Sequence, residues 1–501
     1  MEAFPDYDRY DAVGLADLVA RGDAHPVELA LAAIARVEAT DGAVNAVVSR
    51  RFERALEEAD RLAADAPFRG VPTFIKDLVL EADEPVTFGS VFFRAYRGPY
   101  TTEFASRIRR AGFIRLGRTN TPEFGLLPTT EPALHGPTRN PWDLGRSAGG
   151  SSGGAAAAVA ARYVPLAQGS DGGGSIRIPA SACGVFGLKP SRGRMPRRPA
   201  ATSDYLSVEL ALSRSVRDSA AFLDAVAGAT PGDQYQAPPP AGPFREAATR
   251  DPRPLRIAFT TVDFRGAPVH PQCRQAILDT AGLLESLGHE LVEERPAIDG
   301  EALATAFLDV WASLAGAMFE LLVDAGAEHR SVRVLRSLLG DWRAVKVIAA
   351  AESRRAGRPA FEPFTWALGD RSRRRTPGML QTSIVRLQTI AQTAADFLEH
   401  HDLFLSPVLG SPPLPIGAID QSQSWDELTE KLFEYVAFTP LANFAGLPAM
   451  SVPLSWTDEG LPVGSHFLGR YGDEALLLSL AGQLERARPW AERIPPLVAT
   501  R

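Results

Sequence analysis

Between Gly145 and Arg194 the chain is dominated by glycine, serine and alanine, punctuated by Val159, Val164, Leu166, Ile176, Ile178, Val185, Phe186 and Leu188. A Gly/Ser stretch without such punctuation reads as a flexible linker. With an apolar residue every few positions it reads instead as tightly packed backbone. Short strands and helices are then expected, with glycine where the chain needs unusual dihedrals or a close approach. That packing demand constrains the fold more than any other feature of the sequence.

The flanking segments supply elements to pack against it. Pro26 suits the first turn of a helix, with Val27, Leu31 and Ile34 following on one face. A second helix is expected over roughly 51–64. Residues 70–80 (GVPTFIKDLVL) read as a turn leading into an apolar segment that carries one lysine, and Phe113–Gly117 as a short buried strand. After the stiff connector Ala237–Pro243, Leu255–Thr260 reads as a strand and Cys273–Leu287 as an amphipathic helix stopped by Gly288. Residues 300–400 read as mainly helical. Leu403–Val408 and Met450–Leu454 read as late strands broken by proline, and Leu476–Arg486 as a final helix. Strands alternating with helices predict an α/β fold, with helices on both faces of the sheet.

Composition excludes several classes. The 501 residues carry a net charge of −7, so no overall attraction to nucleic acid or anionic membrane is expected. Two cysteines, Cys183 and Cys273, do not make a disulfide framework and fit a reducing compartment. The first residues contain no basic and apolar leader pattern. The best membrane-span candidate, Ala155–Ala161, is too short. The expectation is a soluble, cytoplasmic protein.

Chemistry concentrates in the glycine-serine segment. Ser151 lies in GGSSGG, and Ser175 follows Gly172, Gly173 and Gly174. Glycines there let backbone N–H groups converge beside a serine hydroxyl, as acyl transfer requires: the hydroxyl attacks and the donors hold the developing oxyanion. Such a serine needs a base. No histidine adjoins the segment, and His135 has no evident orienting partner in the sequence. Lysine is the other option. Lys76 lies among Phe74, Ile75, Leu78 and Val79. Burial would depress its pKa from ~10.4 and could make it a base near neutrality. Other readings stay open at this level. The segment could be a linker or a phosphate cradle, although GxxxxGK[ST] is absent and GSDGGGS does not match GxGxxG. Lys76 could be a snorkelling surface residue or the partner of Asp77.

These motifs resemble the amidase signature enzymes. GVPTFIKD, AGGSSGG and GSDGGGSIRIPASACGVFGLKP follow the family's order, with Ser151 and Ser175 24 positions apart. GRTNTPEFG, TRNPWDLGRS and NFAGLPAMSVPLSWTDEGLPVG extend the resemblance over nearly the whole chain. The resemblance implies one amidase domain over 1–501: a helical part (1–65), a signature core (70–230), a variable, largely helical substrate-side region (240–400) and a C-terminal core part (401–501). It implies a large, mixed, mostly parallel twisted sheet. It implies Lys76 as general base, Ser151 on a cis peptide bond as proton relay and Ser175 as nucleophile. The N–H groups of Gly172, Gly173, Gly174 and Ser175 would form the oxyanion hole. Ser152, Asp171 and Arg177 would support the site, and Gly125, Leu126 and Leu127 would contact substrate. No metal or cofactor is implied.

Two positions depart from the family pattern: Gly172, where threonine or a larger residue is usual, and Ala148, where proline is usual. With TTEPALHGPTRNPWDLGRS they resemble the branch containing 6-aminohexanoate-cyclic-dimer hydrolase, which implies unactivated linear or cyclic ω-amino acid amides. Trp311, Phe319, Trp342 and Trp366 are candidate pocket residues, with core packing the plainer reading of each. The rival readings are the glutaminase subunit of a tRNA-dependent amidotransferase and a non-catalytic binding protein on the same scaffold. The basic run Arg371, Arg373–Arg375 reads as a solvated loop in an acidic chain, not an RNA contact. A homodimer is the default assembly for a soluble enzyme.

Overall fold

The computed structural model describes residues 2–199, 205–326 and 330–499. Its strands are β1 (Val47–Arg50), β2 (Pro72–Lys76), β3 (Ile114–Thr119), β4 (Arg139–Asn140), β5 (Asp143–Ser147), β6 (Leu166–Asp171) and β7 (Phe186–Lys189). They continue with β8 (Val208–Ser213), β9 (Arg256–Phe259), β10 (Glu290–Glu293), β11 (Leu403–Pro407), β12 (Ala449–Trp456) and β13 (Pro462–Leu468). Eight of them form one large sheet in the order β10-β9-β11-β13-β12-β7-β8-β6. A smaller sheet has the order β1-β3-β2, and β4 pairs with β5.

The α/β class and the mixed sheet agree with expectation, but the strand directions do not. Within the large sheet only β9 with β10 and β9 with β11 run parallel, and in the smaller sheet β2 runs parallel to β3. The neighbours from β11 through β13, β12, β7 and β8 to β6 are antiparallel. Connection length is the reason. Residues 457–461 join β12 to β13, too short for the crossover of a dozen or more residues that a parallel pair needs. In each parallel pair a helix intervenes: Pro271–Ser286 between β9 and β10, the long helical region between β9 and β11, and Glu103–Arg110 between β2 and β3.

Helices cover both faces, as alternation along β13 demonstrates. The Gly464 N–H bonds Ser181 Oγ, and the His466 ring bonds Arg177, both on the helix Arg177–Cys183. Ser465, pointing the other way, bonds Thr280 on the helix Pro271–Ser286. Residues 300–400 are helical as predicted: Gly300–Gly326, Arg330–Leu339, Asp341–Ala356, Pro363–Arg373 and Pro377–His400. Within 1–65 the strand β1 interrupts the helices, and the second expected helix shortens to Phe52–Ala59. Pro26 opens the helix Pro26–Val44, where His25 and Glu28 form a reciprocal cap. Its fully buried stripe is Leu29, Ala33 and Val37, rotated slightly from the predicted face. Pro453 is tolerated inside β12 because the register with β13 shifts between Val452 and Ser455.

The Ala-rich run forms the buried helix Gly153–Ala160. The helical segment long and apolar enough to cross a membrane is instead Gly300–Glu320, half of it buried. It carries the buried Asp309, which pairs with Arg371 and Arg375. The basic run is therefore no solvated loop. It ends the helix Pro363–Arg373 and anchors it to this segment, and Arg373 stacks over Trp342.

Side chains join the two sheets. Thr73 Oγ1 donates to the Leu166 carbonyl at 2.9 Å, and Gln168 Oε1 accepts the Lys76 N–H at 2.8 Å. β2 is thereby docked on the edge strand β6, and Lys76 ends up between them. The helix following Ser152 must approach β3 closely. A Cβ at Gly154 would fall 2.4 Å from the Asn120 nitrogen and 2.8 Å from the Ala46 carbonyl oxygen. Both are backbone atoms and cannot swing aside. Gly154→Ala is expected to cost about 1–3 kcal/mol, read as a lower thermal or denaturant midpoint.

Candidate active site

The sequence-predicted groups meet where β2, the 149–152 turn and the end of β6 converge. Lys76 is the last residue of β2 and has no exposed surface. Its Nζ lies 2.8 Å from Ser151 Oγ, 2.9 Å from Ser152 Oγ and 3.2 Å from Ser170 Oγ. The Gly150–Ser151 peptide bond is cis, as the resemblance implied. No carboxylate contacts Nζ among the described residues. Asp77 turns away, accepting the Thr87 N–H and hydroxyl, and Thr87 in turn bonds His135. That removes both the Asp77 ion pair and His135 as alternatives at this centre.

Hydrogen-bond counting fixes one of the three contacts to Nζ. Ser152 Oγ donates to the Ser170 carbonyl at 3.1 Å, so toward Nζ it can only accept. A neutral amine has two protons and one lone pair. One proton goes to Ser152; with the other on Ser170, whose hydroxyl can accept it, the lone pair is free to face the Ser151 hydroxyl. Burial lowers the Lys76 pKa to about 7, against weaker upward pulls from Glu209 and Asp171. The arrangement can therefore take a proton from Ser151 near neutrality.

Ser175 sits on the loop between β6 and the helix Arg177–Cys183. Its carbonyl accepts the Ser152 N–H at 3.1 Å, which ties the two serine turns together. Its hydroxyl makes no hydrogen bond among the described residues and borders a cavity of about 100 Å³. The Lys76–Ser151 half of the expected relay is thus formed, and the Ser151–Ser175 half is not. The glycine loop also departs from expectation. Gly174 N–H is committed to Asp171 Oδ1 at 2.8 Å and is unavailable to an oxyanion. The N–H groups of Gly172, Gly173 and Ser175 have no acceptor among the described residues. Gly174 has φ 131°, and a Cβ there would strike Thr439 Oγ1, which donates to the Gly173 carbonyl.

A buried network holds the loop from beneath. Arg177 Nε and Nη2 grip both oxygens of Asp171 at 3.0 and 2.9 Å. Nη2 also reaches Asn443 Oδ1 at 2.7 Å, and Nη1 lies 2.9 Å from His466 Nε2. Burial alone would raise the Asp171 pKa, but the Arg177 charge overrides it and holds the carboxylate ionised. Burial and then Arg177 push the His466 pKa down. Its neutral ring accepts from Arg177 and donates to Ser406. Cys183 and Cys273 are buried, with thiols raised by burial, Cys273 to about 12, so neither is a nucleophile.

Gly125, Leu126 and Leu127 line the Ser175 cavity. Of the four aromatic candidates only Trp311 joins them, while Phe319, Trp342 and Trp366 pack against one another. Trp311 stacks on Phe307, ring centroids 5.5 Å apart, and donates Nε1–H to the Leu126 carbonyl at 3.3 Å. Sequence reading missed Leu303 and Phe307, which line the cavity from the same helix. Their i, i+4, i+8 spacing with Trp311 was the available signal.

A protein-family model described as Amidase matches residues 28–478. The chain is 36% identical to the 6-aminohexanoate-cyclic-dimer hydrolase of Paenarthrobacter ureafaciens, with 97% of each sequence covered. A solved structure of 6-aminohexanoate cyclic dimer hydrolase complexed with substrate superposes at TM-score 0.86 with 34% identity, covering 98% of this chain and all of that one. A glutamyl-tRNA(Gln) amidotransferase subunit of Thermotoga maritima shares the fold at TM-score 0.75 and 24% identity, covering 98% of this chain and 97% of that one. With the family model spanning most of the sequence, the chain belongs to the amidase family and is a hydrolase of non-peptide amide bonds.

Proposed function

We propose that this enzyme hydrolyses aliphatic ω-amino acid amides, of which the 6-aminohexanoate cyclic dimer is the model substrate, through an acyl ester on Ser175. The observation that carries the proposal is the buried, carboxylate-free Lys76 amine ringed by three serine hydroxyls. Neutral Lys76 takes the Ser151 proton as Ser151 takes that of Ser175. Ser175 Oγ then attacks the amide carbon, and the N–H groups of Gly172, Gly173 and Ser175 receive the oxyanion. The proton returns through Ser151 to the departing nitrogen as the C–N bond breaks. Water deacylates the ester by the same route, and its proton restores the Ser175 hydroxyl. Ser152, Asp171 and Arg177 position the groups that react. The aliphatic and aromatic cavity wall suits a methylene chain. Arg265, the one cation among the described residues that line the cavity, is committed to Glu301 and Glu430 and so is not free to take the α-carboxylate of glutamine. We read the chain as one domain acting in the cytoplasm, as a homodimer and without nucleic acid, membrane or cofactor.

The test is release of amine or ammonia from the cyclic dimer, an aliphatic amide, an aryl amide and glutamine. Turnover of the dimer or the aliphatic amide, reduced about 10⁴-fold or more in Ser175→Ala, is the expected outcome. Activity on glutamine alone, or only with added partner subunits, would establish the amidotransferase reading. Failure of Ser175 to react with a fluorophosphonate would establish the non-catalytic one. Because Lys76 must be neutral, kcat/KM should climb about tenfold per pH unit and level off above about 7.

Stability supplies an independent check. Between the lowered folded pKa of about 7 and the unfolded value, the unfolded chain holds the extra proton, so wild-type stability gains with rising pH across that window. Lys76→Met should therefore stabilise the protein most at pH values below the window and progressively less toward its upper end. A pH-independent difference would show that Lys76 titrates normally.

A further inference from the structure

One helix supplies wall to two cavities. On Gly300–Gly326, the residues Leu303, Ala304, Phe307, Leu308 and Trp311 line the cavity that Ser175 borders. Trp311, Leu314, Ala315 and Met318, at i, i+3, i+4 and i+7, line a second, larger cavity. Trp311 belongs to both stripes. The loop facing it divides in the same way. Gly125 and Leu127 line the first cavity, Phe124 lines the second, and Leu126 lines both. The bond from Trp311 Nε1–H to the Leu126 carbonyl joins the two shared residues, so this pair is the partition between the cavities.

The reacting groups are split along the same line. Ser175, the nucleophile, borders the first cavity. Ser170, whose Oγ lies 3.2 Å from Lys76 Nζ, lines the second. Gly172 stands at the junction: a Cβ there would lie 2.8 Å from Ser207 Oγ, on the wall of the second cavity, and 3.3 Å from Trp311. An amide cleaved here places its carbon at Ser175 and its nitrogen toward Ser151, which returns the proton and is bonded to Lys76. A secondary amide is planar and trans, so the chains on its carbon and on its nitrogen leave in opposite directions. One chain is thereby sent to each side of the partition.

We propose that the second cavity is the subsite for the leaving amine, taking the apolar chain of an N-alkyl amide, and that Trp311 separates it from the acyl chain. This rests on the reading of the Ser175 cavity as the acyl site. Leu78, Val79, Phe88, Phe124, Leu314 and Met318 give the second cavity an aliphatic and aromatic wall, which holds a methylene chain by burial. In a linear aminohexanoate amide the acyl unit lies in the first cavity and the departing amino acid in the second. The substrate class is then the secondary amide of an alkyl amine, and ammonia as leaving group forgoes the contacts of the second cavity.

The experiment measures kcat/KM for hexanamide and N-hexylhexanamide, which share an acyl group, in wild type, Leu314→Trp and Leu303→Trp. Leu314 lines the second cavity and not the first, and Leu303 the reverse. In Leu314→Trp the ratio of N-hexylhexanamide to hexanamide should fall about tenfold or more. In Leu303→Trp both substrates should suffer, with the ratio held within about threefold of wild type. A ratio unchanged in Leu314→Trp, or lowered as far in Leu303→Trp, overturns the proposal. Met318→Trp, one turn along the same stripe, takes the place of Leu314→Trp if that variant does not fold. Binding of N-hexylacetamide to the Ser175→Ala enzyme gives a readout without turnover. Leu314→Trp should weaken it about tenfold; no binding, no weakening, or weakening by Leu303→Trp instead overturns the proposal. Wild type that turns over neither amide and leaves Ser175 unlabelled by fluorophosphonate would defeat the proposed function, and the binding comparison would then decide the second cavity alone.

Discussion

The site depends on a lysine amine held out of water without a carboxylate partner. A buried charged amine costs several kcal/mol unless it is paired. Lys76 has hydroxyls in reach and no ion-pair partner among the described residues, so the balance tips toward the neutral amine. Everything nearby serves that condition. Asp77, the one acid adjacent in sequence, is drawn off by Thr87. Asp171, the nearest strong anion in the loop, is neutralised by Arg177. Gln168, a neutral side chain, makes the contact that docks β2 on β6. A carboxylate in reach of Nζ would restore the ammonium and remove the base.

The Asp171–Arg177 pair does for the loop what the hydroxyls do for the amine. Removing one partner of a fully buried ion pair leaves an uncompensated charge, so the pair must form for the loop to close. Once formed, Asp171 collects the N–H groups of Gly174 and Ile176, and Asn443 bonds the Asp171 carbonyl. Asn443 comes from the helix Pro440–Ala445 and His466 from β13, so a loop made near residue 172 is finished by residues about three hundred positions later. This long-range closure explains why Gly174 N–H faces Asp171 and only its neighbours can face substrate.

That division marks what the sequence could convey. Lys76, Ser151 and Ser175 were legible because each lies in a short segment whose composition is costly without a purpose: a lysine among apolar residues, and serines among consecutive glycines. The Gly174 commitment was not legible, because the same glycine run permits either orientation of that N–H and a side chain selects between them. The parallel sheet was misjudged because an apolar run records burial and not the direction of its neighbour. Arg371 and Arg375 read as solvated because Asp309, the residue they pair with, lies over sixty positions away.

The two departures from the family pattern take on different meanings in three dimensions. Ala148 is fully buried, and its carbonyl accepts the Cys183 thiol, so the change there leaves a packed, bonded position. Gly172 is coupled to the cavity. A Cβ at this position would lie 2.8 Å from Ser207 Oγ and 3.3 Å from the Trp311 ring, and one at Gly173 would lie 3.1 Å from Phe307. The stacked Phe307–Trp311 pair therefore occupies the space that side chains on the loop would take. Trp311 is fixed there by its bond to Leu126, so it cannot retreat without releasing the opposite wall of the cavity. Glycine at 172 and tryptophan at 311 are one choice made twice. The loop gives up its side chains so that two aromatic planes can press on the backbone that would hold the oxyanion. In the proposed reaction the acyl group would enter between those planes and the Gly125–Leu127 loop, where chain length and shape, more than charge, would decide what fits.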